Sequence, residues 1–226
     1  GTQPVISHWA NASAGLDALL DGWNVLFGIA VYLLAAIMGM LYMNNNINDT
    51  VIRSRIRKLL GIFTVAFLVC FLTFFIRTLL KDGFASNPAT GVIFMEPMKY
   101  LNNLLTMWPL ALVLLVGVLL LLYGIARTFF DHNYIKGIWP AAIGEMMVVL
   151  VLFLIAGWNN TAFYPSNVDL QSSLTISNAC SSETTLRVMA YVSLLIPVVV
   201  GYGAYAWYSI DKKKIDRKEL QEGEAY

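Results

Sequence analysis

"LTMWPLALVLLVGVLLLLYGIA", residues 105–126, runs for 22 positions without one charged side chain. At 1.5 Å per residue a helix of that length reaches about 33 Å, enough to cross the roughly 30 Å hydrocarbon core of a bilayer. In lipid no water is available to satisfy backbone N–H and C=O groups, so a run of this kind reads as a spanning helix.

Working outward from it, four more apolar runs of spanning length fall near residues 23–43, 59–76, 139–158 and 188–208. None shows period-2 alternation broken by turns about every ten residues, which a membrane β-barrel would require. Composition agrees: 58% of the 226 residues are hydrophobic, 13% are charged and the mean hydropathy is +0.65, whereas soluble domains carry about 25% charged residues. The sequence specifies an all-α membrane protein, a polytopic transmembrane helical bundle of about five helices. Its expected organisation is an external leader over residues 1–22, the bundle over 23–208, and a cytoplasmic tail over 209–226.

Basic residues orient the bundle. Arg53, Arg55, Arg57, Lys58, Arg127, Lys136, Lys212, Lys213, Lys214, Arg217 and Lys218 fall on one side and make up eleven of the fifteen. Arg77, Lys81, Lys99 and Arg187 fall on the other. The positive-inside bias therefore places the C-terminus in the cytoplasm and the leader outside. Net charge is +1, which gives no signal for nucleic acid. The leader "GTQPVISHWANASAGLDALLDGW" has neither an initiator Met nor a basic n-region, which reads as the C-terminal part of a longer membrane protein.

Candidate chemistry is sparse. The two histidines, His8 and His132, fall in the leader and in a cytoplasmic loop, so bis-His haem ligation within the spans is excluded. Met38, Met40, Met43, Met107, Met146 and Met147 lie in or near spans, where methionine is mostly a packing residue. Cys70 falls within a span and Cys180 in an external loop, too far apart in depth to bridge. No Cys/His cluster, Gly-rich phosphate loop or Ser/His/Asp set is present. Glu145 is the one ionisable residue well inside a span, roughly 9 Å along the helix from Trp139. Intramembrane carboxylates are costly and mark proton or ion paths by default, and the alternative is a protonated or helix-bonded group near the interface. Asp21 and Arg187 sit at span ends and read as anchors. Trp9, Trp23, Trp108, Trp139, Trp158 and Trp207 form an aromatic belt. Asn-x-Ser/Thr triplets at Asn11, Asn48 and Asn159 read as chance.

The polar loop "FYPSNVDLQSSLTISNACSSETTLRVM", residues 163–189, stands out between two oily runs. Its Ser and Thr side chains suit local turns and helix capping, and Ser173, Thr175 and Ser182 are expected to build a structural lid over the bundle end. Its order is distinctive: Pro165 and Ser166; then Ser173, Leu174 and Thr175; then Ala179, Ser181, Ser182, Thr185, Leu186 and Met189. This resembles the last external loop of subunit II of the cytochrome bd quinol oxidase family. "GWNVLFGIAVYLLAAIMGMLYM", with Asn24 and Gly28 but no Asn-Pro-Phe-Gly proline, is similar to that family's central helix. "RSRIRK" is similar to the basic loop that follows it, and "IPVVVGYGAYAWYSI" to its ending, while "PVISHWA" resembles bacteroidete-like versions. The resemblance covers essentially the whole chain but only a C-terminal portion of the family's usual length.

That resemblance implies a bacterial inner-membrane subunit of a complex that oxidises quinol and reduces dioxygen. It implies haem b and haem d bound by subunit I, none bound by this chain, and a supporting, haem-free role here. Implied partners are subunit I, membrane lipids and the complex's quinol, with room for a structural quinone or lipid. The family's acidic N-terminal helices, associated with one proton path, have no counterpart in these residues, so no catalytic residue is transferred. From other classes, a secondary transporter would need broken helices with polar groups at mid-membrane. A non-catalytic membrane adaptor would need only runs that are apolar all round.

Overall fold

The computed structural model describes residues 12, 15–166 and 168–212. His8, Trp9, most of the leader and tail residues 213–226, with Lys213, Lys214, Arg217 and Lys218, lie outside the described residues.

Five helices among the described residues are long and apolar enough to cross a membrane. The first, α1 (Gly22–Asn46), starts where the Asp21 carboxylate accepts from Trp23 N at 2.9 Å, satisfying one of the open N–H groups of the first turn. The second, α2 (Thr50–Leu80), starts on Asp49, whose carboxylate accepts from Val51 N and Ile52 N. With 31 residues it is about 46 Å long, so its basic opening turns, 50–58, project beyond the apolar stretch. A short α3 (Lys99–Thr106) breaks at Met107 into α4 (Trp108–Phe130), which carries Pro109 in its first turn, where the missing N–H costs nothing. A loop through His132 leads to α5 (Ile138–Gly157).

The fifth apolar stretch is two helices, α6 (Glu183–Ser193) and α7 (Ile196–Asp211), joined by a tight turn at Leu194–Leu195. Pro197 explains the interruption, because it lacks the N–H that would continue the ladder.

One element is absent from the sequence reading. Residues between α2 and α3 form an antiparallel hairpin of β1 (Gly83–Ser86) and β2 (Ile93–Glu96). Its turn is held by the Asn87 carboxamide, which accepts from Ala89 N and Thr90 N, and by Gly91 at φ +71°. The chain leaving α5 pairs with β1: Ala162 N donates to Phe84 O and Ser86 N to Asn160 O, both at 2.8 Å.

The core lies where α1, α2, α4 and α5 meet. Ile37, Leu41, Leu60, Phe67, Leu121 and Ala141 are buried there. A second cluster of Leu104, Val151 and Ile155 sits nearer the hairpin. Helices α4 and α5 approach through glycines: a Cβ on Gly144 would lie 2.4 Å from Gly117 O, and one on Gly124 2.4 Å from Gly137 O. In lipid, where apolar surface supplies no drive to associate, such backbone contact is what holds helices together. The fifth stretch behaves otherwise, with none of its apolar window buried.

Candidate functional site

Two regions carry the residues singled out from the sequence. The first is within the bundle. Glu145 projects from α5 into an apolar cavity of about 110 Å³, lined also by Phe27 and Ala30 of α1, Phe67 and Phe71 of α2, and Leu121 of α4. It is the single ionisable residue on that lining. Among the described residues its carboxyl has no hydrogen-bond or ion-pair partner.

The second region is the hairpin end. Ser173 is fully buried, accepts from Ser166 N at 3.0 Å and donates to Leu170 O at 2.8 Å. Thr175 is buried beside it and exchanges bonds with Asn178: Thr175 N donates to Asn178 Oδ1 at 2.7 Å, and Asn178 N to Thr175 Oγ1. The same carboxamide reaches back to Ser173 O. Ser182 stands apart and exposed, as the N-cap of α6, with Thr185 N donating to its Oγ. Thus two of the three serine and threonine positions share one turn, and the third starts a helix.

Several contributors were not singled out from the sequence. Gln171 lays its carboxamide against the edge of β2, accepting from Ile93 N at 2.9 Å and donating to Ile93 O at 2.8 Å, as a strand would. Asn103, fully buried, bonds to Ile155 O and Thr161 Oγ1. Lys99 is 6% exposed and pairs with Glu96 at 3.0 Å. Gly83 makes room for it, since a Cβ there would meet Lys99 Cβ at 2.6 Å. Burial pushes the Tyr100 hydroxyl above the usual phenol range.

The remaining candidates serve local structure. Asp21 caps α1, and Arg187 pairs with Glu183 one turn away. Met38 and Met40 pack on the core, and Met107 on the second cluster. Cys70 is partly buried against the core, while Cys180 is exposed. His132 lies in the α4–α5 loop, where its carbonyl accepts from the Arg57 guanidinium. Among the described residues no three His, Cys, Asp or Glu side chains cluster as metal ligands.

Five long apolar helices and backbone-close helix pairing define a multi-pass membrane protein. The chain belongs to the cytochrome bd terminal oxidase subunit II family, whose model matches residues 2–210. It is 30% identical over 142 residues to the cytochrome bd-I ubiquinol oxidase subunit 2 of Escherichia coli strain K12, and equally so to those of strains O6:H1 and O157:H7. Each alignment takes in 59% of this chain and 35% of the relative, so the chain spans about a third of the length of these curated relatives.

Proposed function

We propose that this chain is a haem-free subunit of a quinol:dioxygen oxidoreductase in a bacterial inner membrane, supporting a haem-bearing subunit I. The observation that carries this reading is the family match running across all five spans. The relatives' printed name, ubiquinol oxidase subunit 2, supports quinol as the substrate of the complex. Haem b and haem d belong in this reading to subunit I. A cytoplasmic C-terminus is supported by the gathering of Arg57 against the His132 loop, which puts two basic connections at one end.

Within this reading Glu145 is a protonatable group at membrane depth, and the turn around Ser173 and Thr175 closes the opposite end of the bundle. A lipid or quinone tail is the class of molecule that an apolar cavity of this kind would admit. The test is to co-express the chain with tagged subunit I and record the visible spectrum of what co-elutes in detergent. Co-elution with haem b and haem d absorbance supports the reading; elution of subunit I without this chain overturns it.

A further inference from the structure

The hairpin end of α2 carries two cations that form no ion pair among the described residues. Arg77 and Lys81 are four residues apart, so they lie one helical turn from each other on one side of the helix end. Each is fixed over an aromatic ring from another element. The Arg77 guanidinium stands 4.1 Å from the Trp23 ring centre at the start of α1, and the Lys81 ammonium 5.1 Å from that of Tyr100 in α3. Of the acids nearby, Glu96 is paired with Lys99, Asp21 accepts from Trp23 N while still pulling on Lys81, and Asp82 follows Lys81 in the chain with no ion pair to it among the described residues.

Burial and the Arg77 guanidinium hold the Lys81 ammonium below the usual lysine range, against a smaller opposing pull from Asp21. A helix C-terminus favours positive charge, and long basic side chains reach from an apolar helix to the interface. Those effects explain one cation here, but not two that repel each other and are each held by a ring. The pair also sits where the apolar part of α2 ends, at the depth of the tryptophan belt, which is the depth of lipid headgroups.

We propose that Arg77 and Lys81 together bind a phosphate group. Arg supplies a planar fork of donors and Lys a point charge, a combination suited to phosphate oxygens. Either a phospholipid headgroup or free phosphate carries that chemistry, and one such group would bridge both cations.

The test uses the full chain, purified in detergent, stripped of lipid and examined by native mass spectrometry with phosphatidylglycerol or with inorganic phosphate. One bound phosphatidylglycerol is expected, weakened about tenfold or more in R77Q/K81Q and kept in R77K/K81R. A phosphate adduct with the same dependence, and no lipid adduct, supports the site with free phosphate as its ligand. Equal binding by the wild type and R77Q/K81Q overturns the proposal. So does an equal loss in R55Q/K58Q, whose exposed charges lie at the other end of α2. Should R77Q/K81Q fail to fold, K81Q alone, which leaves Arg77 on Trp23, gives the same readout.

Discussion

Asn103 Nδ2 lies 2.8 Å from Thr161 Oγ1 and 2.8 Å from Ile155 O, so one carboxamide joins α3 both to the end of α5 and to the segment that follows it. Its own oxygen accepts from Asn159 Nδ2 at 3.0 Å. All its partners are thus within the junction. Asn103→Leu takes the carboxamide donor from the buried Ile155 carbonyl and leaves the Thr161 hydroxyl only its 3.3 Å bond to Asn159 O, and a loss of about 3 kcal/mol is expected. Thermal unfolding in detergent, followed by helical circular dichroism, checks it, and the exposed neighbour change Asn102→Leu should move the midpoint far less.

Helix α5 meets α4 through backbone that cannot yield. A Cβ at position 144 would lie 2.4 Å from Gly117 O and 2.5 Å from Leu121 N. Gly144→Val is expected to cost at least 1–3 kcal/mol by forcing the helices apart, by a rough overpacking estimate. Gly39→Val, where nothing lies within 4 Å, should leave the isolated chain's Tm nearly unchanged. The two midpoints, compared in one detergent, decide it.

Ser173 and Ser182 should respond unequally. Ser173→Ala leaves the Ser166 N–H without its acceptor in a buried turn, for an expected loss of about 1–3 kcal/mol. Ser182→Ala removes an exposed N-cap, at about 1 kcal/mol, local to α6. Limited proteolysis between α5 and α6 reads the first, and hydrogen exchange in the first turn of α6 the second.

Alkaline pH acts on Tyr100 and Lys81 with opposite signs. Burial raises the Tyr100 hydroxyl above 10.0, so its contribution is complete below that value and is lost as pH rises through the raised folded-state value. Lys81 is lowered from 10.5, so the folded state sheds that proton first and gains relative stability as pH climbs through the interval below 10.5. In Tyr100→Phe the Tm should therefore fall less between pH 10 and 11 than in the wild type. In Lys81→Met it should fall more steeply as pH approaches 10.5. A Tm series from pH 7 to 11 measures both.

Glu145 faces an apolar cavity without a partner among the described residues. Replacing it by leucine is expected to raise the Tm, since burying an unbonded polar group costs about 1–3 kcal/mol. A lower Tm for Glu145→Leu would mean that the carboxyl is bonded in the folded protein.

The spans were legible because each depends on a property summed over some twenty residues, which local detail cannot disturb. The length of α2 was less so: the apolar count begins near Leu59, whereas Asp49 caps the helix ten residues earlier. The hairpin escaped notice because its strands are four residues long, too short for a period to register against noise. Its turn could have been found, since "SNPATG" carries Asn, Pro and Gly at the spacing of a reversal. Pro197 likewise announced the break between α6 and α7. Nothing in "KYLNNLL" separates the buried Asn103 from its neighbour Asn102, because that distinction comes from how α3 lies against α5. The same is true of Glu145: its depth could be counted along the helix, but the cavity beside it is made by three other helices.

The fifth stretch, oily enough to insert and yet burying none of its window, touches α1 where Trp207 stands edge-on to Tyr42 at 6.0 Å. An edge contact of that kind near one end leaves most of the segment's circumference open to whatever surface settles against it. The turn at Leu194–Leu195 divides it into two helices, each with its own open face. Whatever neighbour covers those faces therefore fixes the segment's rotational phase against the other spans.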